Sequence, residues 1–402
     1  MTPEDLGFDS DRLDRIGALG RSYVDRGKLP CAVVQVARKG QVVYHDRYGS
    51  ADVEAGRPIS DDSIFRIYSM TKPITSVGLM QLYEQGRVLL EHPIAKFLPE
   101  FADMSVWAGG STQKPQTRPA GRDITVRDVL THTSGLTYGF HHQHPVDAIY
   151  RRNKLGDFSR PDYDLATGIE RLAGLPLLFE PGSAWNYGMS TDVCGRLIEV
   201  ISGQALDHYL DEHVCAPLGM ADTAFSVDTT DLARMTANYM PTADGMTMLD
   251  KAEGTSYRHR PDFLGGGGGL VSTLADYQRF CDMLLAGGTL DGTRVIGRKT
   301  LEYMTRNHLP GGSLLNDLGQ STFTESVMEG TGFGLGFSVV VDPAASGAVT
   351  SPGVYGWGGA ASTAFWVDPV EELTVIFLTQ LLPSNTYPIR RQLQAAVYQA
   401  LR

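Results

Sequence analysis

Apolar residues recur at helical spacing through the first segment, Asp11 to Gly27, where Leu13, Ile16, Leu19 and Tyr23 share one face. Two runs with a different rhythm follow. Cys31-Ala-Val-Val-Gln-Val-Ala and Gln41-Val-Val-Tyr-His are rich in β-formers, and Lys39-Gly40 between them predicts a hairpin turn. The far end of the chain carries the same pattern in reverse. Phe333 to Val341, Ser362 to Val367 and Leu373 to Leu378 read as strands, and Asp368-Pro369 with Glu371-Glu372 supplies the turn between the last two. A helix from Tyr387 to Leu401 closes the pattern.

Helix-strand-strand at one end and strands followed by a helix at the other predict one antiparallel sheet assembled from both termini. The middle, Met80 to Asp276, reads as mostly helical with long connections. Helices are expected near Thr71–Gln85, Val126–Leu130, Asp164–Leu172, Thr191–Ile201 and Ala205–Val214. The expected fold is therefore α/β (α+β): an antiparallel β-sheet flanked by helices 11–27 and 387–401, with a large inserted helical subdomain. Residues 1–79 and 277–402 form the α/β part of this scheme and 80–276 the helical part. Together they make one catalytic unit with its site in the groove between.

Composition narrows the function. Among 402 residues, 42% are apolar and 20% charged, a balance that supports a sizeable core and argues against extensive disorder. A net charge of −11 argues against nucleic acid or an anionic membrane surface as a partner, since both require clustered positive charge. The N-terminal stretch lacks the basic start and apolar run of a secretory signal, and no run reaches the length of a membrane span. Cys31, Cys194, Cys215 and Cys281 are scattered without a C-x-x-C pair, which suits free thiols in a reducing compartment. The expected location is the cytoplasm.

The residues able to do chemistry begin with Ser69-Met70-Thr71-Lys72. A serine and a lysine three residues apart on a helix share a face, so the amine can reach the hydroxyl. Pro73 belongs in a helix's first turn, which places the helix start at or just before Ser69 and leaves its backbone N–H free to donate. Taken alone, S-x-x-K is a weak pattern that a capping serine and a solvated lysine explain better. Two further segments add weight. Glu180-Pro-Gly-Ser-Ala-Trp-Asn-Tyr187 is a turn-rich loop that presents a tyrosine before a helix. Tyr355-Gly-Trp357-Gly358-Gly359-Ala360 precedes a strand, with glycines that permit close backbone approach.

Taken in order, these motifs resemble the class C β-lactamase and penicillin-recognising superfamily, and within it the family VIII carboxylesterases most closely. The likeness runs from about Asp11 to Leu401. It includes Leu130-Thr-His-Thr-Ser-Gly-Leu136, Pro181-Gly182 with Trp185-x-Tyr187, Asp192-Val-x-Gly195, Pro217-Leu-Gly-Met220, and Gly266–Gly269 leading into Leu270-Val-Ser272-Thr-x-x-Asp276. The resemblance implies Ser69 as nucleophile, with Lys72 and Tyr187 as the pair that activates it, and leaves open which of the two takes the proton. It implies an oxyanion hole from the N–H groups of Ser69 and Ala360, each donor worth about 3 kcal/mol. Trp357, Gly358 and Gly359 would contact substrate. Two departures bear on substrate class. Where the lactam enzymes carry Y-x-N, this chain has Tyr187-Gly188-Met189, and where they carry K-T-G it has Trp357-Gly358-Gly359. The groups that engage a substrate carboxylate and amide are thus replaced by a thioether and an indole, which suits an ester.

The expected activity is a serine carboxylesterase acting on short-chain, small-molecule esters with no metal or other cofactor. Its alternatives are a β-lactamase, D-amino-acid peptidase or amidase on the same scaffold, and a non-catalytic ligand-binding member; the oligomeric state stays open. G-x-S-x-G is absent from the sequence. Gly332-x-Gly334-x-Gly336 and Gly265–Gly269 do not complete a nucleotide fingerprint. His141-His142-x-His144 has no metal framework around it, and His132 reads as a structural group satisfying loop backbone.

Overall fold

The central strand, Cys31–Arg38, is buried along almost its whole length because antiparallel neighbours flank it on both sides. The computed structural model describes residues 2–158, 160–319, 328–384 and 386–402. Its main sheet contains Cys31–Arg38 (β1), Gln41–Asp52 (β2), Arg57–Pro58 (β3), Thr331–Phe333 (β4), Ser338–Val340 (β5), Tyr355–Gly358 (β6), Ala364–Asp368 (β7) and Leu373–Leu378 (β8). Their order across the sheet is β4-β5-β6-β7-β8-β1-β2-β3, and every pairing is antiparallel. The two ends of the chain meet where β1 pairs with β8, with Val34 opposite Phe377 and Val33 opposite Leu378.

Alternation along these strands sorts the two faces. Ala32, Val34, Val36, Val375 and Phe377 point to one side, where Leu13 and Ile16 of helix Ser10–Asp25 (α1) pack with Leu393 and Val397 of the C-terminal helix. Val33, Phe365, Ile376 and Leu378 point to the other, against Tyr277 and Phe280 of helix Leu274–Leu285. That second core continues into helices Thr71–Glu84 (α2) and Ser190–Ser202 (α3), so one apolar interior joins the sheet to the helical region. From Thr71 to Leu82 every residue of α2 is buried, which marks it as a central helix rather than a surface one.

Several expectations change in the structure. The run Phe333–Val341 is not one strand. Gly334 turns the chain, with its N–H bonded to Phe337 O (2.7 Å), so β4 and β5 form a hairpin. The segment Tyr355–Gly358, expected only to precede a strand, is itself a strand, and the strand after it starts at Ala364 rather than Ser362 because Ser362 turns the backbone at φ 68°. The helical middle also contains two hairpins, Ser105–Gly110 with Pro115–Pro119 and Asn238–Thr242 with Gly245–Asp250. The boundary drawn after Asp276 falls inside Leu274–Leu285, a helix that packs on the sheet. No helix among the described residues is long and apolar enough to cross a membrane, and all four cysteines are buried free thiols.

Candidate active site

The short strand Phe65–Arg66 pairs with Val271–Ser272, and the chain then turns sharply through Tyr68 into a 3₁₀ turn, Tyr68–Met70, that runs into α2. Tyr68 sits at φ 42°, a left-handed conformation costing on the order of 1–3 kcal/mol for a non-glycine residue. Surrounding contacts hold it there. The Tyr277 hydroxyl donates to Met70 O (2.9 Å), and Leu270 N–H donates to Thr71 Oγ1 (3.2 Å). The bend presents Ser69 to a cavity at the head of α2, as Pro73 in the first turn of that helix required.

Lys72 lies one turn on, buried, and its ammonium donates to Ser69 Oγ (3.2 Å) and to Gly267 O (2.6 Å). Its Nζ also stands 4.4 Å from the centre of the Tyr187 ring and 5.4 Å from that of Tyr138. Tyr187 arrives from a distant loop that is tied down at each residue. Asn186 N–H bonds His132 O (3.0 Å), the Asn186 side chain bonds Leu136 O (3.0 Å), and the His141 ring lies 2.7 Å from Tyr187 O. Trp357 Nε1–H donates to the Tyr187 hydroxyl at 3.3 Å. Ser69, Lys72 and Tyr187 therefore meet in space.

The surrounding side chains His132, Asp192 and Tyr138 are buried. Burial pushes the His132 imidazole well below its ordinary range, and the nearby Lys72 charge pushes it further, so it stays neutral. Its Nδ1 accepts the Gly188 N–H (3.4 Å), the backbone role expected of it. The Asp192 carboxyl is driven up by burial, against the opposing pull of Lys72 and of the Gly267 N–H that it accepts (2.9 Å). Burial likewise raises the Tyr138 hydroxyl well above its usual value, with Asp192 and Tyr187 adding to the effect.

The cavity beside Ser69 has a volume of about 140 Å³, and its walls include Tyr138, Phe140, Tyr187, Met189, Phe263 and Ala360. Among the described residues, nothing accepts a hydrogen bond from the N–H of Ser69 or of Ala360. Trp357, Gly358 and Gly359, expected against substrate, are not among the walls. Trp357 reaches the site through Tyr187. A side chain on Gly359 would collide with Ile67 O, and one on Gly358 would lie 2.7 Å from the Arg390 guanidinium, so both glycines serve close packing of the turn. The histidine run separates: His141 faces Tyr187 O, while His144 caps the helix Pro145–Arg152.

Sequence reasoning assigned no role to Asp192, Gly267, Tyr138 or Arg390. The first two stood in recognised runs without a function, and nothing local distinguishes the others. The structure thus holds the Ser69 hydroxyl against the buried Lys72 amine, which in turn lies under the Tyr187 ring, at a cavity that Ser69, Tyr187 and Ala360 line.

Comparison with known proteins identifies the family and the fold. A family model described as Beta-lactamase matches residues 17–400. Protein Rv1367c of Mycobacterium tuberculosis is 36% identical over 92% of this chain and 90% of its own length. Esterase EstB of Burkholderia gladioli is 31% identical over 99% of this chain and 98% of its own. Among solved structures, that of EstCE1, described as a hydrolase with promiscuous acyltransferase activity, superposes with a TM-score of 0.80. It is 25% identical and covers 96% of this chain and 99% of that one. Matched almost end to end by both the family model and a named esterase, the chain belongs to the Beta-lactamase family and is a serine hydrolase of that fold.

Proposed function

We propose that the protein is a carboxylesterase that hydrolyses short-chain esters through an acyl-enzyme on Ser69, with Lys72 and Tyr187 as the activating pair. The observation that carries this reading is the 3.2 Å approach of Lys72 Nζ to Ser69 Oγ beneath the Tyr187 ring. In the reactive form one of the pair is deprotonated, either the Tyr187 phenolate beside the Lys72 ammonium or the neutral Lys72 amine. As Oγ attacks the ester carbonyl, its proton passes to that base, which then gives it to the departing alcohol. Water then attacks the acyl-enzyme by the same route in reverse. The free N–H groups of Ser69 and Ala360 supply the oxyanion hole.

Substrate choice follows from the walls. About 140 Å³ is small beside typical ligand pockets of roughly 300–1,000 Å³, which favours a short acyl group. Met189 at the cavity offers a thioether in place of an amide, which weakens the recognition of a lactam. Full-length similarity to an esterase supports the same choice. The promiscuous acyl transfer attributed to EstCE1 favours a second reading, in which an alcohol replaces water as acyl acceptor. The four buried thiols support a reducing, cytoplasmic location.

A panel of p-nitrophenyl esters set against nitrocefin and D-alanyl amides tests the proposal. Turnover of C2–C4 esters should dominate, and an organophosphonate should label wild type but not Ser69→Ala. Lactam or amide turnover exceeding ester turnover by orders of magnitude would replace the esterase with an amide hydrolase, and labelling that persists in Ser69→Ala would move the nucleophile.

A further inference from the structure

The turn that carries Ala360 is clamped from outside the cavity. Arg390, at the start of the helix Ile389–Tyr398, donates through Nη2 to Gly359 O (2.7 Å) and Thr363 O (2.6 Å). Thr363 O also receives Gly359 N–H (2.9 Å), and Gly359 O also receives Ser362 N–H (3.1 Å), so the guanidinium closes a small network across the turn. Only glycine at 358 leaves the seat for it, and the opposite side of the turn is pressed on Ile67 O, two residues before Ser69. The helix beneath is anchored in the core by Ile389, Leu393 and Val397, so the clamp is fixed to a rigid element.

Gly359 C=O and Ala360 N–H are the two ends of one peptide unit. A hydrogen bond to the carbonyl draws electron density from the nitrogen and strengthens its N–H as a donor. A hydrogen bond from a charged donor is about twice as strong as one from a neutral donor. Arg390 does not line the cavity, so its effect travels through that peptide.

We propose that Arg390 is a positioning residue for the oxyanion hole, its guanidinium fixing the Gly358–Gly359–Ala360 turn and polarising the peptide whose N–H receives the developing oxyanion. This rests on the reading of Ser69 and Ala360 given above.

Arg390→Met and Arg390→Lys, assayed with p-nitrophenyl acetate and with a trifluoromethyl ketone that forms a hemiketal oxyanion on serine, test it. Arg390→Met should lower kcat by about 10- to 100-fold with KM within about threefold. The ketone's Ki should rise by a matching factor, and the hemiketal, followed by ¹⁹F NMR against pH, should ionise at higher pH. Arg390→Lys, which keeps a charged donor, should recover part of the loss. Wild-type kcat and Ki in Arg390→Met, or a loss confined to KM, overturns the proposal. Should Arg390→Met not fold, Arg390→Gln, which removes the charge, decides: a joint change in kcat and Ki supports the role, and wild-type values of both overturn it. Phosphonate labelling of wild-type Ser69 separates the two readings. Its absence sinks the catalytic assignment itself, whereas normal labelling with Arg390 variants unchanged sinks this inference alone.

Discussion

Trp357 donates its indole N–H to the Tyr187 hydroxyl at 3.3 Å, with the two rings 5.5 Å apart and tilted by 47°. Because Trp357 also packs edge-on against Phe333 and stays out of the cavity, that hydroxyl is its link to the chemistry. Trp357→Phe keeps an aromatic ring and removes the donor. A net hydrogen bond of about 1 kcal/mol corresponds to a fall in kcat of about fivefold, with KM little changed. Steady-state kinetics on two acyl chain lengths checks this. A changed acyl preference at constant kcat would place the indole against substrate instead.

The proton-transfer unit should fail as a unit. Ser69→Ala, Lys72→Ala and Tyr187→Phe are each expected to cut kcat by at least about a thousandfold while the protein stays folded, and the double variants should lose little more. Circular dichroism and burst kinetics check both halves. Additive losses would mean that the amine at 3.2 Å and the phenol act separately.

His132 makes stability depend on acid. Its imidazole is held well below the ordinary range in the fold, so below about pH 6.5 the unfolded chain takes up a proton that the native state refuses. Stability from this residue is present above that pH and is lost as pH falls, at up to about 1.4 kcal/mol per unit. His132→Gln should flatten the fall of Tm from pH 6.5 downwards relative to wild type. Parallel Tm profiles would show that the native imidazole takes up its proton as readily as the unfolded one.

Burial pushes the thiols of Cys31 and Cys215 up to about 12 and raises those of Cys194 and Cys281 as well. Native protein at pH 8 should resist iodoacetamide, and unfolded protein should gain four carbamidomethyl groups by mass spectrometry. Rapid modification of the native form would mean that a thiol reaches solvent.

Where local periodicity and global packing agreed, elements were legible in advance. Val375 to Leu378 is an unbroken apolar run, and Val33 to Ala37 is broken only by the buried Gln35, because both faces of the central strands are covered. Helix α2 announced itself through Ser69, Lys72 and Pro73, since spacing and proline geometry are local. Elements set by distant partners were not legible. Gly334 looked like part of a strand, yet its Cα faces Met304 O and the chain turns there. Trp357 and Gly358 read only as preceding a strand, yet they pair with Phe365 and Ala364.

The amino-acid order by itself determined the reactive triplet of residue types and the family motifs around Ser69, Tyr187 and Ala360, because a helix turn and a motif are properties of neighbouring residues. Tertiary structure alone decided that Tyr187 lies over Lys72, that Gly267 O holds the amine, and that Arg390 grips the turn of Ala360 from the C-terminal helix, 31 residues beyond Gly359. Those contacts join segments up to hundreds of residues apart. Their geometry is set by how the sheet and the buried helix pack, which no local pattern encodes.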